Sequence, residues 1–153
     1  MDATGEQYYL TAAPQCPYPD AAGDSMLNGA VSFDAVFVQY YNNYCGLQSF
    51  TPGSYDQENF NFGQWDAWAH SVSKNPNVKV FLGVPGNTAA AGSGYAPPST
   101  IAAIVKYCKQ FSSFGGVMTW DASQAENNSG FLAAVRTALN GSYSRIMRSL
   151  YHE

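Results

Sequence analysis

Charge is scarce in this chain, and cationic charge scarcest: seven Lys and Arg face eleven Asp and Glu, and charged residues make up 12% of 153. Binding to phosphodiester backbones needs a cationic surface that displaces counterions. Nucleic acid is therefore excluded as a partner, and the net charge of -4 suits a neutral or cationic one. No apolar run approaches the roughly 20 residues that cross a bilayer, so one soluble globular unit with no membrane span is expected. The start, MDATGEQYYLTAA, lacks a cationic stretch followed by a long apolar one, and no signal peptide is visible. Phosphate-loop and metal-ligand spacings are also missing, so no cofactor and no metal are expected. Cysteine is sparse: Cys16, Cys45 and Cys108 cannot all pair internally.

What the chain does have is aromatic bulk, 15% Phe, Trp and Tyr. With so little charge, this is the balance of a surface that meets uncharged polar ligands by stacking and by hydroxyl or amide hydrogen bonds. The run Phe33 to Asn43, FDAVFVQYYNN, concentrates the pattern: an apolar strand that ends in amides and phenols. Strands apolar on both sides belong to parallel sheets covered on both faces, and α/β proteins place ligands just beyond the strands' carboxyl ends. Val36, Phe37 and Val38 therefore read as core, and Gln39, Tyr41, Asn42 and Asn43 as site residues. Alternatively, Tyr40 and Tyr41 simply close the top of a core.

The order repeats along the chain. Tyr8 to Ala13 reads as a short strand, Ala21 to Gly29 as a weak helix, and Phe33 to Gln39 as the second strand. A long polar loop covers about Tyr44 to Asn61, and Trp65, Trp68, Ala69 and Val72 then recur at helical spacing. Val78 to Val84 is the third strand, and Ser99 is the expected N-cap of a helix with Ile101, Ile104, Val105 and Cys108 on one face. Gly115 to Trp120 is the fourth strand, DASQAENN a loop, and Ser129 to Leu139 a last helix with Leu132, Val135 and Leu139 inward. Cys16 and Cys45 follow successive strands at one sheet end, within reach of a disulfide in an oxidising compartment. Cys108, on an apolar stripe, reads as a buried free thiol.

Four strand-then-helix units imply right-handed parallel crossovers. Either a small doubly wound sheet or an incomplete (β/α)8 barrel would satisfy them. Length favours the first, while polar and aromatic residues after every strand favour the second.

LTAAPQCPYPD, FDAVFVQYYNNYCG, VKVFLGVPG followed by AAGSGY, and GGVMTWD, in that order, resemble the later half of glycoside hydrolase family 18 endochitinases of the fungal and plant class III, hevamine-like type. The resemblance spans about Tyr8 to Leu139 and implies an α/β fold in which these strands are the fifth to eighth of a (β/α)8 TIM barrel. It makes 1–140 the C-terminal half of the barrel and 141–153 a divergent tail. The implied substrate is chitin or chito-oligosaccharide, and the implied location is extracellular or cell wall. Open barrel edges would also permit self-association.

Family 18 chemistry, as the resemblance implies it, retains configuration by using the substrate's own N-acetyl oxygen as nucleophile, while a glutamic acid protonates the leaving oxygen. By motif, Tyr41 matches the tyrosine whose hydroxyl donates to the acetamido carbonyl, and Trp120 the tryptophan beneath the sugar at the cleavage point. Gln39 lies two residues before Tyr41 on the same strand face, placed to hydrogen-bond sugar or acid. Asn43 is a further binding candidate, and Gly86 a candidate to offer a backbone carbonyl. The family's acidic motif, DGxDxDxE, is missing from the 153 residues. Only Asp56 and Glu58 have D-x-E spacing, in a polar loop with no apolar strand before it. The motif belongs just upstream of Tyr8, so the chain reads as starting after it, as a truncated product, a fragment or a misassembled gene model would. Without the acid the chain alone is expected to be inactive, since leaving-group protonation is worth about 10²- to 10⁴-fold.

Two functions compete, a chitinase-derived enzyme and a non-catalytic, lectin-like sugar binder. Asn127 and Asn140 open glycosylation sequons, NNS and NGS, which matter only in a secreted chain. His70 reads as a surface or packing residue, and Asp121 as a substrate contact or the start of a loop.

Overall fold

The fold is known from a computed structural model that describes residues 5–140; the expected tail at 141–153 lies outside the described residues. The elements are β1 (Thr11–Ala12), α1 (Asp24–Leu27), β2 (Ala35–Gln39), a 3-10 turn (Leu47–Ser49), α2 (Phe62–Ser71), β3 (Lys79–Pro85), α3 (Pro98–Cys108), β4 (Phe114–Trp120), α4 (Ala122–Glu126) and α5 (Phe131–Asn140). The strands are parallel in the order β1-β2-β3-β4. This is an open sector of a (β/α)8 barrel, with β1 and β4 as its edges among the described residues.

Register explains which side chains share a face. Val38 pairs with Leu82 and Leu82 with Val117; one step on, Gln39 pairs with Gly83 and Gly83 with Met118. Because side chains alternate along a strand, the first set points toward the helices and the second toward the barrel interior. On the helix side Val36, Val38, Val80, Leu82 and Val84 are fully buried beneath α2 and α3. Trp65 and Trp68 of α2 meet edge to face at 5.7 Å. Their indole nitrogens donate to the Cys16 carbonyl at 2.9 Å and the Leu27 carbonyl at 2.6 Å, so the same rings that fill the core also fix the loop after β1 and the end of α1.

The expectation that β2 is covered on both faces fails. Phe37 is only half-buried and packs against Phe81, 4.9 Å between ring centres, on the open interior face. Its cover would have to come from strands across the barrel, and only four strands are present among the described residues.

Five local expectations also shift. Strand β1 has two residues rather than six, because Tyr8 and Tyr9 are exposed and Leu10 is held by Asp34, whose carboxylate accepts from its amide at 2.7 Å. Helix α3 starts at Pro98 after Pro97, with no side-chain cap from Ser99; proline's fixed φ suits the first helical turn. The segment DASQAENN is not all loop: Asp121 caps the short helix α4 by accepting from the Gln124 amide. In α5 the inward positions are Phe131 and Val135, which turns Leu132 outward at 45% exposure. Val72, at the end of the α2 stripe, stands at the helix C-cap, partly exposed.

Candidate functional site

The carboxyl ends of β1, β2 and β4 surround an open cleft of 450 Å³ lined by Ala13, Phe37, Gln39, Tyr41, Asn42, Met118 and Trp120. The period of two places Phe37 and Gln39 here from β2, with Tyr41 just beyond its end, and Met118 and Trp120 from β4. Gly83, between them, has no room for a side chain: a Cβ would lie 2.9 Å from the Met118 methyl carbon. Trp120 is 52% exposed, an indole face left open to solvent at the cleft's edge. Tyr41, by contrast, is 6% exposed, and no hydrogen bond engages its hydroxyl among the described residues. Burial pushes the Tyr41 phenol above its usual range, which keeps it a protonated donor well into alkaline solution.

Tyr41 is held by its neighbours in the chain and in space. Asn42 adopts a left-handed conformation, φ 57°, which asparagine tolerates better than most residues. Its amide donates to the Ser93 carbonyl at 3.2 Å, and its side-chain oxygen accepts from the Ser93 amide at 3.1 Å. This reciprocal clasp fastens the loop after β3 to the end of β2. Gly94, at φ 94°, passes so close that a Cβ would sit 2.7 Å from the Tyr41 Cα. Gln39 has its amide nitrogen directed to the Ala13 carbonyl at 2.7 Å, which leaves its side-chain oxygen for a ligand.

Two sequence candidates lie elsewhere. Asn43 does not line the cleft; its side chain donates to Gln15 at 2.8 Å, and its carbonyl accepts from Gln48 at 2.7 Å, so it braces loops. The Gly86 carbonyl accepts from the Asn128 side chain at 2.9 Å, and its amide donates to the Trp120 carbonyl at 2.7 Å. A Cβ at Gly86 would meet the Ala125 backbone, so that glycine is required by the packing of α4. Phe37 and Met118 were not singled out as site residues from the sequence, although the period of two from Tyr41 and Trp120 reaches both.

Asp121 caps α4 and does not line the cleft. Hydrogen bonds from the Ser123 hydroxyl and then the Gln124 amide hold its carboxyl below the usual carboxylate range. The Trp120–Asp121 peptide is cis. The cleft lining contains no acidic residue, and Asp56 and Glu58 are exposed in the loop before α2. Beneath the site, Cys16 and Cys45 form a disulfide that ties the loop after β1 to the loop after β2, and Cys108 is a buried free thiol. Among the described residues, no group of three or more His, Cys, Asp or Glu is placed to hold a metal.

Parallel strands whose polar and aromatic ends converge on one cleft are the arrangement of a β/α-barrel protein with a candidate site at the carboxyl face. No family model matches the chain. It is 54% identical over 144 residues to a class III chitinase of Arthroderma benhamiae, covering 94% of this chain and 44% of that protein. Among solved structures, the chitinase ICChI of Ipomoea carnea superposes with a TM-score of 0.67 at 26% identity, covering 88% of this chain and 46% of that one. The xylanase and α-amylase inhibitor XAIP-II of Scadoxus multiflorus gives 0.66 at 35% identity, covering 86% and 45%. The chain is thus a class III chitinase-type segment of glycoside hydrolase family 18, matching the later four βα units of the barrel. It spans less than half the length of the relatives it matches.

Proposed function

We propose that this chain forms the acetamido-holding half of a chitin-hydrolysing site, in which Tyr41 and Trp120 grip one N-acetylglucosamine unit. The observation that carries this reading is their convergence, with Gln39, on one cleft, a buried phenol with a free hydroxyl beside an exposed indole. Trp120 offers an apolar face to the sugar ring, and Gln39 an amide oxygen to its hydroxyls. The Tyr41 hydroxyl donates to the N-acetyl carbonyl and so fixes that oxygen for attack on the anomeric carbon. Hydrolysis with retention then needs an acid on the leaving oxygen, and no residue lining this cleft supplies one. The 153 residues alone therefore bind chito-oligosaccharides without turning them over. The site of action is extracellular or the cell wall, and the edges at β1 and β4, unpaired among the described residues, favour association with further strands, including those of a second copy.

Binding without hydrolysis is also a second reading of the function, a lectin-like role, and the absence of an acid from the cleft lining favours it. Titration of the purified chain with chitotetraose, followed by Trp120 fluorescence, tests the shared claim: saturable quenching that is lost in Trp120→Ala supports it, and its absence overturns it. Release of chromophore from a chromogenic chito-oligosaccharide by the wild-type chain, abolished in Tyr41→Phe, would overturn the prediction of inactivity.

A further inference from the structure

The sequon Asn127-Asn128-Ser129 sits between α4 and α5, and its three side chains divide their work. Asn128 is partly buried, and its amide nitrogen donates to the Gly86 carbonyl at 2.9 Å and the Tyr95 hydroxyl at 3.2 Å, holding this connection against the end of β3. Asn127 and Ser129 on either side are exposed, and neither side chain makes a hydrogen bond among the described residues. The middle residue does the structural work, and the two residues that define the sequon do none.

The surroundings carry a second observation. Ser129, Gly130, Leu132 and Ala133 line a shallow open concavity of 270 Å³ beside the sequon. Leu132 is an apolar side chain facing solvent there, and Gly130, at φ 78°, has open space around its Cα. Asn127 does not itself line this concavity, but its side chain is exposed and engages no hydrogen bond among the described residues, so a sugar attached there displaces no contact. The Cys16–Cys45 disulfide belongs to an oxidising compartment, and in eukaryotes that is also where asparagine is glycosylated.

We infer that Asn127 is an N-glycosylation site, occupied when the chain passes through a secretory compartment and compatible with the folded state. The donor is a lipid-diphosphate oligosaccharide. The bond between Asn127 Nδ2 and the sugar's C1 forms as the bond from C1 to the diphosphate oxygen breaks. The lipid diphosphate leaves with the bonding pair, and one amide proton is released. Asn140 begins the other sequon, but its Gly141 and Ser142 lie outside the described residues.

The test is secretion of the chain from a eukaryotic host behind a secretion leader, with intact masses measured before and after peptide N-glycosidase. The expected result is a glycan mass removed by the enzyme, with conversion of Asn127 to aspartate in the mapped peptide. In the mapped peptides, modification at position 127 should vanish in Asn127→Gln and in Ser129→Ala, and persist in Asn140→Gln. Translation with microsomes reports the same transfer if a variant fails to leave the cell. Folding compatibility is read from thermal melts, where the glycosylated form should unfold cooperatively at a temperature close to that of the deglycosylated chain. An unmodified Asn127 peptide in secreted protein, or a glycosylated form that no longer melts cooperatively, overturns the inference. The outcome is independent of whether the cleft binds chitin.

Discussion

The two faces of the sheet are made by the same strands and obey opposite rules. On the helix face, Val36, Val38, Val80, Leu82 and Val84 are sealed by Trp65, Trp68 and the apolar stripe of α3. On the interior face, Phe37, Gln39, Tyr41, Met118 and Trp120 keep open space in front of them. Both faces are rich in apolar atoms, so hydrophobicity alone does not separate them. The hydrogen-bonding end groups do: indole and phenol on the helix side are consumed by packing or by loop carbonyls, while those of the interior side are left to a ligand. Tyr40 and Tyr41 are adjacent in sequence and fall on opposite sides of this divide.

The largest expected effect is on the helix face. Trp65→Ala removes a fully buried ring and its bond to the Cys16 carbonyl, and should cost about 3–5 kcal/mol in denaturant unfolding. Phe37→Ala on the interior face should cost far less; equal costs would erase the distinction between the faces. Reduction of the Cys16–Cys45 disulfide, 29 residues apart, should follow at about 3–4 kcal/mol, measured by urea titration with and without reductant. Tyr41→Phe should leave stability nearly unchanged and weaken chitotetraose binding about tenfold, the worth of one hydrogen bond. The smallest effect has the opposite sign. Tyr40 is fully buried with no hydrogen-bond partner for its hydroxyl among the described residues, so Tyr40→Phe should raise stability by about 1 kcal/mol.

Tyr40 also gives the helix face a signature in alkali. Burial raises the folded-state phenol well above 10.0 and the Cys108 thiol well above 9.0. The unfolded chain loses these protons first, so stability is whole below pH 9 to 10 and declines as pH rises further. Tyr40→Phe combined with Cys108→Ala should reduce that decline in pH-dependent urea midpoints, the remainder coming from the Tyr41 and Tyr107 phenols that burial also raises, and an unchanged slope would place its origin elsewhere.

Most of the strand order was legible because β2 and β3 are compact apolar runs, AVFVQ and KVFLGVP, and the GGVMTW stretch marks β4, whereas the two-residue β1 shows only as part of a longer apolar stretch. The cleft's principal groups were legible through the period of two from Gln39 to Tyr41, together with the matching motifs. Other features were hidden for definite reasons. Helix α4 is too short and polar to show periodicity, although the Asp121 to Gln124 spacing is a capping signal. Leu132 and Phe131 are both apolar, and packing against α3 and α4 sets the phase of α5. The placement of Asn43 and Gly86 depends on Gln15 and Asn128, 28 and 42 residues away, and contacts across such separations leave no local trace.

The clasp between Asn42 and Ser93 has a thermodynamic consequence for recognition. A tyrosine on a free loop would forfeit backbone and rotamer freedom each time a sugar docked, and that loss would be charged against affinity. Tyr41 has already surrendered that freedom on folding, hemmed in by Gly94 and pinned through its neighbour. The remaining entropic cost of docking falls on the oligosaccharide and on the water it displaces.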